Sequence, residues 1–154
     1  VSAPRTPVVL LACPGLDHAR RGFETFAREC FETLRDREDL RVELVKGSGA
    51  TAPQERVVPT LLRDTRTARA LARSRSLPPF VAEHVTFAAG LIPTLVRRRP
   101  DVVYFSEWHL GRVLGMWRRR TGGRFRLVLC NGAAVPGGYD HLDLVQQLVP
   151  GAME

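Results

Sequence analysis

Short apolar runs and amphipathic stretches alternate along this chain, and that order restricts it to a small set of layered folds. Val8–Ala12 is apolar on both faces, as a strand in the middle of a parallel sheet must be. From Arg21 to Arg37 the apolar residues Phe23, Phe26, Ala27, Cys30, Phe31 and Leu34 recur at helical spacing. Arg41–Val45 alternates and predicts a second strand; Lys46–Thr60, with Gly47, Gly49, Pro53 and Pro59, predicts a loop. A helix is expected over Thr60–Arg75, ended by Ser76-Leu77-Pro78-Pro79. The next, Phe80–Arg98, presents Val81, Val85, Ala88, Leu91, Ile92, Leu95 and Val96 as its apolar face, with Gly90 and Pro93 predicting a kink or late break. Val102–Phe105 is the third strand, His109–Arg120 a helix stopped by Gly122-Gly123, and Arg126–Cys130 the fourth strand. Asn131–Tyr139 predicts a loop and His141–Val149 a short final helix. Strands alternating with helices give an α/β fold: a doubly wound, Rossmann-like parallel sheet with right-handed crossovers and helices on both faces.

At 154 residues the chain makes one domain with a core that needs no disulfide or metal. Cys13, Cys30 and Cys130 are odd in number and lack metal-ligand spacing, which points to free, core-filling thiols in a reducing compartment. No apolar run reaches the roughly 20 residues that span a bilayer, and no signal peptide is apparent. A cytoplasmic location is therefore expected, with peripheral membrane attachment left open. The net charge of +7 is almost all arginine, Lys46 being the only lysine. These arginines are spread over several expected helices, the pattern of solvated faces, which disfavours nucleic acid as a partner while leaving phosphate-bearing ligands in view. The sequence starts at Val1 and stops at Gly151-Ala152-Met153-Glu154 without a linker, so a piece of a longer protein is expected.

Ligands of open α/β sheets bind beyond the carboxyl ends of the strands, and three such places carry suitable residues. Cys13–Gly22 joins the first strand to its helix. Gly15 and Gly22 would let a phosphate approach backbone N–H groups at the helix start, and Arg20 and Arg21 would add charge. The ordinary alternative is a tight turn, since neither a P-loop nor a GxGxxG fingerprint is present. Ser106-Glu107-Trp108-His109 follows the third strand and could hydrogen-bond, stack on a sugar and supply a base; the alternative is Ser106 as helix N-cap and Trp108 as core. Asn131-Gly132 follows the fourth strand, where Asn131 could bind a hydroxyl or merely form a turn. Asp140, His141 and Asp143 are too sparse for a metal site, and no Asp-x-Asp pair is present.

Four segments together resemble the N-terminal domain of GT-B glycosyltransferases, particularly family 4. Arg21-Gly22-Phe23-Glu24 is similar to the family's Gly-Gly-x-Glu loop, with Arg21 in place of the first glycine. Pro100–Gly111 resembles its proline, aspartate, strand and Asp-Trp-His-like turn. Asn131-Gly132 stands where a His-Gly or His-Asp ends the next strand, and Asp143–Leu148 resembles the start of the last part of the acceptor domain. The resemblance implies that residues 1–154 are a single acceptor-side domain of a retaining, nucleotide-sugar-dependent enzyme. Its partner would be a C-terminal donor-binding domain of the same protein, absent from this chain, with catalysis in the cleft between the two. No cofactor or metal is implied; the nucleotide sugar is a co-substrate. Gly15, Arg21 and Gly22 would face the donor diphosphate. Glu107, Trp108 and His109 would line the acceptor, a sugar or other hydroxyl compound, and His109 and Asn131 take the catalytic positions. Two other readings compete: a stand-alone binding or regulatory module without catalysis, and a nucleic-acid-binding domain with its arginines on one face.

Overall fold

Strand β1, Val8–Cys13, lies in the interior of a six-stranded sheet, as its apolar character on both faces requires. In the computed structural model, which describes residues 5–19, 21–131 and 138–147, the elements run in the following order. After β1 come α1 (Gly22–Leu34), β2 (Arg41–Lys46), β3 (Glu55–Val57), α2 (Arg66–Ser74) and α3 (Pro79–Arg98). Then follow β4 (Val102–Phe105), α4 (Trp108–Thr121), β5 (Arg126–Asn131) and β6 (Leu144–Gln147). The strand order is β3-β2-β1-β4-β5-β6 and every pairing is parallel. The fold is thus the expected doubly wound α/β sandwich. The order in which strands are added switches sides between β1, whose connection leads outward to β2, and β4, whose connection leads the other way to β5.

Alternation along each strand divides the core in two. Leu11, Cys13, Val42 and Leu44 meet Ala27 and Phe31 of α1 on one face. On the other, Leu10, Val45, Val103, Phe105, Leu127 and Leu129 meet Phe87, Leu91 and Leu95 of α3 and Leu110 and Leu114 of α4. All three cysteines are free.

Four expectations require correction. The loop expected over Lys46–Thr60 contains β3, because the Leu44 N–H donates to Gln54 O (2.9 Å) and the Val58 N–H to Lys46 O (3.0 Å). The helix expected over His141–Val149 is instead strand β6 at Leu144–Gln147, residues 148–149 lying outside the described set. The edge of β5 supplies ladder partners there, and Arg118 holds the approach by binding Asp143 and donating to His141 O (2.9 Å). Helix α4 is not capped by Ser106; Glu107 is its N-cap and makes no side-chain cap bond. Lastly, α3 is turned from its expected face. Glu83, His84, Phe87, Ala88, Leu91, Thr94 and Leu95 are buried, whereas Val85 and Val96 are exposed. The rotation is possible because Glu83 finds cationic and imidazole partners beneath it, so the polar pair at the start of the helix can point inward.

Helix α3 continues through Pro93 and is the one described helix long and apolar enough to cross a bilayer, yet it packs along the sheet. It passes close under the segment after β3: a Cβ on Gly90 would lie 2.5 Å from the Pro59 carbonyl oxygen. A side chain at that position must displace backbone, so Gly90→Val is expected to lower unfolding free energy by about 1–3 kcal/mol in urea titration. Gly22→Ala, whose new methyl meets nothing within 4 Å, should stay within about 0.5 kcal/mol of the parent.

Candidate functional site at the strand ends

The loops after β1 and β4 leave the sheet in opposite directions, and the opening between them is where open α/β sheets take ligands. Arg21, the N-cap of α1, reaches across it. Its guanidinium binds the Glu24 carboxylate and donates to Glu107 Oε1 at 2.9 Å. Glu107 ends the β4 loop, and its second oxygen lies 3.3 Å from His84 Nε2 of α3 without hydrogen-bond geometry. One step further out, the buried Glu83 carboxylate accepts from Arg63 through the backbone N–H (2.7 Å), Nε (2.9 Å) and Nη2 (2.5 Å). His18 Nε2 is 3.2 Å from the same carboxylate, and its Nδ1 is 3.0 Å from Ser48 Oγ. Residues from α1, α3 and the β4–α4 junction thus form one polar cluster.

Among the described residues, several buried polar atoms in and beside this cluster have no hydrogen-bond partner: Glu24 Oε2, both nitrogens of His84, Trp108 Nε1 and His141 Nε2. Native interiors satisfy nearly all such groups through protein atoms or ordered water, so this concentration marks the opening as a candidate site. Aromatic rings frame the same opening. His109 lies edge-on to Trp108 (5.2 Å between centroids) and beside Phe80 (5.9 Å), while the Arg112 guanidinium covers the Trp108 ring at 4.7 Å. Adjacent to Glu24 is a cleft of about 530 Å³, lined by Leu16, Asp17, His18, Ala19, Glu24, Thr25, Arg28 and Glu29.

Electrostatics separates the members by charge state. Burial pushes His84 down to about 3, with Arg63 adding to the effect, so the ring is neutral at pH 7. Burial also raises Glu107 above the usual carboxylate range; Arg21 opposes that shift and Glu24 reinforces it. Burial and the nearby Arg112 lower His109, which leaves a neutral ring able to accept a proton. Among the described residues no group of three or more metal-ligating side chains occurs.

The residues expected from sequence fall as follows. Gly15 is buried in the β1–α1 turn, where a Cβ would meet the Glu24 carboxylate and come within 3.0 Å of Arg21 Nη2; its small size admits the Arg21–Glu24 pair. Gly22 opens α1, is exposed and has free space beside it. Arg21, Glu107, Trp108 and His109 gather with these glycines at the β1–β4 opening. Asn131 closes β5 in register with Gln147, its side chain outside the described set; Arg20 and Gly132 also lie outside it. Sequence reasoning missed His18, Arg63, Glu83 and His84. A usable signal was present: Glu83-His84 is an ionisable pair interrupting the apolar pattern of α3.

The fold is a doubly wound α/β domain with its opening at the β1–β4 switch point. No protein-family model matches the chain, and no curated protein matches it in sequence. Among solved structures it is similar to sucrose-phosphate synthase from Thermosynechococcus elongatus, with a TM-score of 0.52, 13% identity, 89% of this chain covered and 37% of that one. It is also similar to MurG from Acinetobacter baumannii, at TM-score 0.49 and 11% identity over 97% of this chain and 43% of that one. The chain therefore spans less than half the length of either neighbour.

The buried histidine makes stability depend on pH. Below the ordinary histidine pKa of 6.5 and down to about 3, the unfolded chain binds a proton that folded His84 refuses, so stability falls as pH falls through this window. Raised Glu107 works in the opposite sense, holding its proton longer in the folded chain and costing stability as pH rises past 4.5. His84→Gln should reduce the acid-side slope of unfolding free energy between those histidine limits by up to about 1.4 kcal/mol per pH unit. Urea titrations across the range would detect the change; an unaltered slope would mean that His84 titrates normally.

Proposed function

We propose that this chain is the acceptor-side domain of a retaining glycosyltransferase that moves a sugar from a nucleotide-sugar donor to an acceptor hydroxyl. The observation that carries the reading is the meeting of Arg21, Glu107, His84 and His109 at the opening between β1 and β4. In this reading the uncapped start of α1, with open space at Gly22 and the Arg21 guanidinium beside it, receives the donor diphosphate. Trp108 offers an aromatic surface to an acceptor sugar, while Glu107 and neutral His109 hydrogen-bond its hydroxyls. His109 is the proposed proton acceptor, and Asn131, at the end of the neighbouring strand, a hydroxyl-binding group.

A C-terminal donor-binding domain of the same protein would close over these strand ends and supply the selective contacts to the nucleotide. The similarity to part of sucrose-phosphate synthase supports that division in fold alone. No metal or organic cofactor is assigned, and the location proposed is cytoplasmic.

Calorimetric titration with UDP- and GDP-sugars tests the division of labour. Binding is expected from a longer form that carries a second Rossmann-like domain, and none from the 154 residues alone. Tight binding by the short chain would put the donor site in the wrong half, and silence from both would favour a binding module without catalysis. In the longer form, His109→Ala should lower kcat by about 10²- to 10⁴-fold, with circular dichroism unchanged. A kcat within a factor of about three would remove His109 from the proton-transfer step.

A further inference from the structure

A second charged hollow lies on the α3 face of the sheet, away from the strand-end cleft. It measures about 220 Å³ and is lined by Arg56, Pro93, Thr94, Arg97 and Arg98. Arg56 comes from edge strand β3, in register with Val45, and Arg97 and Arg98 from the last turn of α3. Attraction to the carboxyl end of a helix dipole accounts for Arg97 and Arg98. It does not account for Arg56, which arrives from a different element and adds like charge to the same space.

The charge balance is one-sided. Arg98 Nε lies 3.2 Å from Glu43 Oε2, and Glu43 is shared with Arg41, 3.0 Å from its other oxygen. Among the described residues neither Arg56 nor Arg97 has a carboxylate partner, and Arg56 Nε is buried without any hydrogen-bond acceptor. By contrast, the partly buried Arg28, Arg63 and Arg118 are each ion-paired. A shielded guanidinium nitrogen facing further arginines lacks an anion.

We propose that Arg56, Arg97, Arg98 and Thr94 form a binding site for a phosphoryl group, supplied by inorganic phosphate or by a small phosphomonoester. Planar guanidinium forks donate in pairs to phosphate oxygens, which suits them better to this group than lysine would be. The Thr94 hydroxyl adds a donor from a nearly buried position. The volume is below the roughly 300 Å³ at which pockets for drug-sized ligands begin, so a nucleotide does not fit. Helix α3 joins this site to the strand-end cluster: Thr94 follows His84 by ten residues, about 15 Å along the axis. The inference is independent of the transferase reading.

Calorimetry of the 154-residue chain at constant ionic strength, against inorganic phosphate and against glycerol phosphate, tests it. Saturable binding of at least one probe is expected, weakened about tenfold or more by Arg97→Gln and by Arg56→Gln, since each removes a charged hydrogen bond. Arg97 is exposed, so its substitution leaves folding intact; thermal melting monitors the Arg56 variant. Arg120→Gln should change affinity by less than about twofold. Equal affinity for both probes would identify the free ion as sufficient, and tighter binding of the ester would favour a phosphorylated metabolite; both outcomes support the site. Absence of saturable binding, or loss through Arg21→Gln with Arg97→Gln unaffected, would overturn it.

Discussion

The arrangement at the strand ends depends on one buried carboxylate. Glu83 is fully inaccessible and would be prohibitively costly there alone, because an uncompensated buried charge destabilises by several kcal/mol. Three donors from Arg63 and the adjacent His18 ring remove that cost, and in doing so they tie together three pieces of chain distant in sequence. The start of α3 is drawn onto the sheet, the segment before α2 is held against it, and the β1–α1 loop is fixed from above. His84 follows Glu83 inward as its neighbour on the helix, which brings an imidazole to face Glu107.

A second buried charge does the same for the other side of the opening. Lys46, at the end of β2 and almost inaccessible, binds Asp17 of the β1–α1 loop and Glu55 of β3 (2.7 Å). Arg28 of α1 pairs with both acids as well. The polar floor of the cleft is therefore a set of mutually neutralised ions, each from a different element. Such pairs contribute little net stability compared with well-packed apolar groups, but removing one partner strands the other. They favour a single geometry for loops that carry few apolar contacts of their own. The result is a fixed β1–α1 loop from which Arg21 meets Glu107 across the switch in strand order.

Much of this was visible in the sequence, and the failures have physical causes. The four central strands and the four described helices follow from periodicity, since apolar runs and helical stripes are local patterns. The glycine stop of α4 is equally local: Gly122 takes a left-handed conformation at φ 67°. Edge strands β3 and β6 were not legible, because their residues are mixed in polarity and form ladders only when a neighbour's edge is present. Arg21, Gly22, Glu107, Trp108 and His109 were singled out by their positions after strands, and they lie at the β1–β4 opening. Arg63, Glu83 and His84 were missed because a charged pair within an apolar helix face looks solvent-exposed until its partners are known.

The sequence by itself determined the class of fold and the end of the sheet at which polar residues collect, since both follow from the order of apolar periods along the chain. Tertiary structure decided which face α3 turns inward, which carboxylates are buried, and how His84 and Glu107 titrate. Those properties arise from groups brought together over separations such as that between Arg21 and Glu107, 86 residues apart. Burial and charge pairing at such range depend on three-dimensional proximity, which local pattern does not encode.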